Sequence, residues 1–254
     1  VILAGGFGTR ISEESHLRPK PMIEIGGRPI LWHIMKLFSH FGVDEFIVCL
    51  GYKGYVIKEY FANYVLHNAD ITVDLAKGDI AYHATNHEPW KVTLVDTGAE
   101  TMTGGRLRRV ANYLTPGEPF FFTYGDGVAD VDLAALLAFH NAHGRQATVT
   151  AVSPPGRYGA LEITEGQVQR FIEKPPGDEG LINGGFFVLQ PEVVSRIAGD
   201  DVPWEAEPLQ GLARDGQLMA FHHPGFWTGM DTLRDKNNLE ALWASGEAPW
   251  RLWR

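Results

Sequence analysis

Apolar residues along the chain gather in short unbroken runs, and amphipathic stretches separate one run from the next. Val1-Ile2-Leu3-Ala4, Glu45 to Leu50, Val92 to Asp96, Phe120 to Tyr124, Ala147 to Val152, Phe186 to Leu189 and Leu218 to His222 read as strands. Runs of this length without polar alternation suit a sheet covered on both faces. Ile30, Leu31, Ile34, Met35, Leu37, Phe38 and Phe41 recur at helical spacing, with Pro29 in the first turn and Gly42 as the stop. The same reasoning predicts helices from Gly54 to about Tyr64, Arg106 to Leu114, Asp132 to His143 before Gly144, Glu205 to Arg214 and Thr232 to Trp243. A further strand is expected near 71–75 and an irregular excursion from Lys77 to Lys91. The segments 160–163 and 167–172, with Glu165-Gly166 between them, read as a hairpin. Strand–helix alternation predicts an α/β fold, Rossmann-like and doubly wound, around a mostly parallel mixed sheet. With no repeats or linkers, one domain over 1–254 is expected, residues 204–254 forming a C-terminal helical segment that packs back on it.

Composition narrows the classes. Across 254 residues the formal net charge is −9, and no basic stripe offsets it, which excludes nucleic acid as a partner. A polyphosphate substrate would need local cations, a metal ion among them. No run reaches the roughly 18 apolar residues that span a bilayer, so no membrane association is expected. The chain opens inside an apolar strand without methionine, so a residue or two is expected before it; nothing resembles a signal peptide. The single cysteine, Cys49, lies within a strand and reads as a buried small hydrophobe, which fits a reducing cytoplasm.

The chemistry concentrates at the front end. The first strand empties into Gly5-Gly6-Phe7-Gly8-Thr9-Arg10, and Lys20-Pro21 follows. Glycines let backbone N–H groups approach an oxyanion, and an arginine fork and a lysine point charge suit phosphate oxygens in different ways. A P-loop is excluded, because no Gly-x-x-x-x-Gly-Lys-Ser/Thr follows the strand; a dinucleotide fingerprint is excluded by Ile11 where its third glycine belongs. Gly-Gly-x-Gly alone would read equally well as a tight turn. With Thr9, Arg10, Lys20 and Pro21 the pattern resembles the signature of the sugar-phosphate nucleotidyltransferases, the nucleoside-diphosphate-sugar pyrophosphorylases.

Asp126, between two glycines after the Phe120–Tyr124 run, stands where ligands collect in open α/β sheets and suits Mg²⁺ as a hard oxygen donor. It reads alternatively as a turn aspartate capping its own loop. Asp231 reads alternatively as a helix N-cap. The resemblance implies that both hold Mg²⁺. It further implies a nucleotide site of Leu3, Ala4, Gly5, Gly6, Phe7, Gly8, Thr9, Arg10 and Lys20 with Thr101, Gly104, Gly105, Arg106 and Gly125, Arg106 reading otherwise as a solvated helix arginine. A sugar-phosphate site of Tyr124, Gly159, Glu173, Lys174, Asn183 and Gly184 is implied too, with Lys20, Arg10 and Asp126 as the catalytic set.

Arg18-Pro19-Lys20-Pro21, Gly51-Tyr52-Lys53-Gly54-Tyr55, Asp96-Thr97-Gly98 and Met102-Thr103-Gly104-Gly105-Arg106 resemble most closely the branch of that family acting on CTP and glucose 1-phosphate. This implies those two substrates, a role in deoxysugar and O-antigen synthesis, and a homo-oligomer, the hexamer being the form known in the family. Uridylyl- or thymidylyltransferases would share the phosphate residues and differ near 97–105. A silent nucleotide-sugar-binding subunit would be expected to lose Arg10, Lys20 or a metal aspartate, and all are present. His83 and His87 stand four apart, but Pro89 and irregular surroundings disfavour a helical zinc pair; His222 and His223 point to opposite faces of a strand.

Overall fold

Seven apolar segments hydrogen-bond into one sheet: β1 (Ile2–Leu3), β2 (Glu45–Leu50), β3 (Lys91–Asp96), β4 (Phe120–Tyr124), β5 (Ala147–Val152), β6 (Ile182–Leu189) and β7 (Leu218–His223), in the order β3-β2-β1-β4-β6-β5-β7. The computed structural model describes residues 1–7, 18–85, 87–154, 160–164, 167–172 and 180–253, with backbone alone for 84–85 and for the strands between 160 and 172. Neighbouring strands run parallel except at β6, which is antiparallel to β4 and to β5. The mostly parallel mixed sheet predicted from the alternation is therefore present.

Side chains alternate between the faces of a strand, and the core divides accordingly. Helices α1 (Ile30–His40), α2 (Gly54–Ala62), α3 (Thr103–Arg109), α4 (Leu133–His143), α5 (Glu207–Arg214) and α6 (Leu233–Ala244) flank the sheet. Ile2, Val48, Leu50, Phe186 and Val188 face one cluster, shared with Ile34 and Phe38 of α1, Leu136 of α4, Leu239 of α6 and Trp250. Leu3, Cys49, Phe122, Phe187 and Leu189 face the other, shared with Leu107 of α3, Leu212 of α5 and Trp204. Runs buried on both sides carry no period-2 signal, which is why they read as unbroken apolar segments.

Cys49 is fully buried, and burial pushes its thiol up to about 12. A buried thiol forms little thiolate, the reactive species. The native protein is accordingly expected to leave Cys49 untouched by a thiol reagent at pH 8 and to titrate fully once unfolded in guanidinium.

Helix ends follow their predicted signals, with local corrections. Asp132 caps α4 through the Ala135 N–H, and Gly144 closes it at φ 62°. Pro29 lies just outside α1 as its N-cap, paired with Glu24 in a short ladder. The expected excursion at 77–91 contains a strand, Asp79–Thr85, which pairs with Ala69–Asp74. The Asp74 carboxylate shapes the turn by accepting from the N–H groups of Ala76 and Lys77. Val73 faces Ile80 and Ile71 faces Tyr82, cross-strand apolar pairs that hold an exposed hairpin.

Helix α3 begins at Thr103 rather than Arg106, and β6 begins at Ile182 rather than Phe186. In both cases a glycine pair inside the element disguised it. At the C-terminus Trp243 and Trp250 pack on His33, whose pKa burial pulls down to about 4. The neutral ring accepts from Trp250 Nε1–H at Nδ1 and donates from Nε2 to the Ile25 carbonyl.

Candidate active site

In the sheet order, β1 leads outward through α1 to β2 on one side while β4 starts the other half, so the strand order reverses between β1 and β4. Ligands in open α/β sheets bind outside the carboxyl ends of strands at such a point. A cavity of about 270 Å³ opens there, lined by Leu3, Ala4 and Gly6 after β1, Tyr124, Gly125 and Asp126 after β4, and Lys20, Pro21, Thr103 and Asp231. A smaller one of about 90 Å³ adjoins it, sharing Tyr124, Asp126 and Asp231 and adding Asn183, Gly184 and Trp227. A larger cavity of about 470 Å³ lies at the opposite ends of the strands, against Val1, Phe46 and Phe120, away from this constellation.

The two aspartates, 105 positions apart in the chain, meet because of a small ladder. Gly127–Ala129, leaving Asp126, pairs antiparallel with Trp227–Gly229, which leads to Asp231. The Asp126 carbonyl also accepts from the Met230 N–H at 2.8 Å. Asp231 is not the N-cap: Thr232 caps α6 in a reciprocal box with Asp235, and Asp235 also accepts from the Asp231 N–H. The Asp231 carboxylate instead accepts from Lys20.

Lys20 lies in a short 3-10 turn, Lys20–Met22, and is 9% exposed. Its ammonium donates to Asp126 Oδ2 at 2.7 Å and to Asp231 Oδ1 at 2.8 Å. Burial pulls the Lys20 pKa down, but the two carboxylates outweigh it and raise it above the usual lysine value. One cation position, between two carboxylates, is the centre of the site.

Gly125 must be glycine: a Cβ there would sit 2.6 Å from the Leu3 carbonyl, so β1 and β4 could not close at the cavity floor. The pair Gly104-Gly105 also answers to packing. A Cβ would lie 2.6 Å from the Val202 carbonyl at Gly104 and 2.5 Å from the Asp200 carbonyl at Gly105. The loop 200–204 docks on the start of α3 through these contacts, with Met102 N–H donating to Asp200 O and Trp204 N–H donating to Thr103 Oγ1.

Arg106 is neither solvated nor in the cavity wall. It is 4% exposed, and its guanidinium donates to the carbonyls of Leu50, Gly98, Gly5 and Ala99 and to Thr97 Oγ1. It thereby joins the Gly5 turn, the end of β2 and the 97–99 loop from behind. Thr101 is buried beside that loop, while Phe7 is exposed and leans on Tyr52 at 5.5 Å. Asn183 donates to the Tyr124 hydroxyl at 3.4 Å, and the Gly184 carbonyl accepts from Trp227 Nε1–H at 2.6 Å.

The structure therefore brings together Leu3, Ala4, Gly6, Lys20, Gly125, Tyr124, Asp126 and Asp231, with Asn183 and Gly184 adjoining, and sets Thr101, Gly104, Gly105 and Arg106 one layer back. Gly8, Thr9, Arg10, Gly159, Glu173 and Lys174 lie outside the described residues. Glu205, expected only as the first residue of a helix that in fact begins at Glu207, accepts from both Tyr124 and Thr103 at the cavity mouth. Nothing in a lone Trp-Glu before a helix signals this.

A family model described as nucleotidyl transferase matches residues 1–214. The chain is 62% identical over 253 residues to glucose-1-phosphate cytidylyltransferase of Salmonella typhimurium, covering 100% of this chain and 98% of that one. It is 43% identical over 254 residues to the probable glucose-1-phosphate cytidylyltransferase of Bacillus subtilis, covering 100% and 99%. Among solved structures, HddC from Yersinia pseudotuberculosis shares the fold, with a TM-score of 0.70 at 24% identity over 95% of this chain and 97% of that one.

Proposed function

Because the chain belongs to the nucleotidyl transferase family, we propose that it transfers the cytidylyl group of CTP to glucose 1-phosphate, releasing pyrophosphate and forming CDP-glucose. The substrates follow from its full-length relatives. One observation carries the chemistry: a buried lysine and two carboxylates meet at 2.7 and 2.8 Å, at the switch point of the sheet.

The sugar phosphate is already an anionic nucleophile at neutral pH, so its oxygen can attack the α-phosphorus in line without a general base. The obstacle is bringing two polyanions together, and positioning and charge neutralisation supply most of the catalysis. Gly6, which lines the cavity, is assigned to the triphosphate with Gly5 buried behind it, and Lys20 to the α-phosphate. Arg10 is assigned to the β- and γ-phosphates and Lys174, beside Glu173, to the sugar phosphate on the resemblance.

Mg²⁺ fits Asp126 and Asp231. Their hard oxygens already share one cation, and Mg²⁺ commonly takes one or two protein carboxylates, completing its shell with water and phosphate. When bound it would neutralise charge between the reacting phosphates. Among the described residues no group of three or more His, Cys, Asp or Glu side chains gathers, so the pair Asp126 and Asp231 would leave the rest of the shell to water and phosphate.

No helix among the described residues is long and apolar enough to cross a membrane. Homo-oligomeric assembly and a cytoplasmic role in deoxysugar synthesis are proposed on the resemblance alone. Pyrophosphate release measured with glucose 1-phosphate and each of CTP, UTP, dTTP and GTP, with and without Mg²⁺, tests the reading. CTP with Mg²⁺ is expected to be strongly preferred; preference for another triphosphate would overturn the cytidylyl assignment.

A further inference from the structure

The mouth of the central cavity carries a carboxylate that neither the phosphate chemistry nor the metal pair uses. Glu205 accepts from the Tyr124 hydroxyl at 2.5 Å with one oxygen and from the Thr103 hydroxyl at 2.6 Å with the other. The two donors come from different elements: Tyr124 ends β4 and lines both cavities of the site, while Thr103 opens α3 and lines only the one of about 270 Å³.

Glu205 is held firmly although it stands in solvent. Trp204 before it is fully buried, and the 200–204 loop is seated on α3 where only glycines fit. Thr103 Oγ1, donating to Glu205, also accepts from the Trp204 N–H at 2.8 Å. The Tyr124 hydroxyl, donating to Glu205, has its oxygen turned to Asn183. Charge adds a second consideration. A fixed anion at the rim repels phosphate, so the groups brought beside it are the neutral hydroxyls of a substrate.

We infer that Glu205 is a positioning residue for the sugar: it fixes the Tyr124 hydroxyl, and with it the wall shared with Asn183, against the nucleotide-side helix through Thr103. This rests on the reaction proposed above. Burial and Glu205 both raise the Tyr124 pKa, so the phenol stays a donor.

Initial rates of pyrophosphate release at saturating CTP, with glucose 1-phosphate varied, test it in the wild type, Glu205→Ala and Glu205→Gln. Loss of hydrogen bonds to a charged group predicts that Glu205→Ala lowers kcat/KM for glucose 1-phosphate about 10- to 100-fold. The KM for CTP should stay within about 3-fold, a split that separates sugar placement from general damage. Glu205→Gln should recover most of the loss, since its carbonyl accepts from one hydroxyl and its amide donates to the other. A Glu205→Ala enzyme with wild-type kcat/KM for the sugar phosphate would overturn the inference. So would equal losses in Ala and Gln for both substrates with a lowered Tm, the mark of a merely structural residue. A wild-type chain releasing no pyrophosphate with any triphosphate would instead overturn the reaction itself, and the sugar-positioning role with it.

Discussion

Lys20→Ala is expected to lower the rate of pyrophosphate release about 10³-fold, the scale on which a preorganised charge aimed at developing transition-state charge acts. The same substitution should strengthen binding of a divalent ion to the free protein. The ammonium sits on Asp126 Oδ2 and Asp231 Oδ1, the oxygens a metal would need. Removing it leaves two converging carboxylates without the cation they now share, and a divalent ion is the natural replacement. Mn²⁺ titration followed by electron paramagnetic resonance, without nucleotide, reads this directly. Tighter Mn²⁺ binding in the slower enzyme is the expected pair of results. Unchanged turnover would remove Lys20 from the chemistry, and unchanged Mn²⁺ affinity would separate the lysine from the metal site.

Arg106→Ala is expected to have the largest effect on stability. The guanidinium is the partner of the Gly98 and Ala99 carbonyls and supports those of Gly5 and Leu50, which also accept from Tyr52 and Thr97. The partly exposed Gly98 and Ala99 carbonyls can turn to water, so the cost lies in the hydrogen bonds that a buried charged group loses, about 1.5–3 kcal/mol for each of the strongest. For a chain of this size that lowers Tm by roughly 5–15 °C. Turnover should fall as well, because the glycine turn and the 97–99 loop lose their common tie. Arg106→Lys should not restore stability, since a single ammonium cannot reproduce a fork that reaches both sides. Thermal unfolding followed by circular dichroism checks this. A Tm unchanged in Arg106→Ala would mean that these loops are held by other contacts.

The sheet was legible because its strands are unbroken apolar runs bounded by glycine or polar turns: β2, β4 and β5 begin and end where the runs do. Elements containing paired glycines were not. Gly104-Gly105 and Gly184-Gly185 fall outside the predicted helix and strand, yet they lie within α3 and β6, where other chain segments press against them. The exposed strand Asp79–Thr85 was hidden because cross-strand pairing, not burial, holds it.

Within the site, local sequence pointed to Lys20 beside the glycine turn and to Asp126 after the most apolar strand. The partnership of Asp126 with Asp231 was not local information. It depends on the pairing of 127–129 with 227–229 and on Thr232, rather than Asp231, capping α6. Arg106 drew attention as a cation near phosphate motifs, but its surroundings are backbone carbonyls, which no residue pattern announces. Glu205 gave no sign, since its partners Thr103 and Tyr124 are remote in sequence.

The central claim is that Lys20, Asp126 and Asp231 form one cation-sharing centre for a bound triphosphate. A crystal structure with CTP and Mn²⁺ tests it most directly, through the anomalous signal of the metal. The account predicts a manganese peak bridging Asp126 and Asp231, the triphosphate over Gly5 and Gly6, and Lys20 turned from the carboxylates to the α-phosphate. A triphosphate seated elsewhere, or a metal bound by neither aspartate, would contradict it.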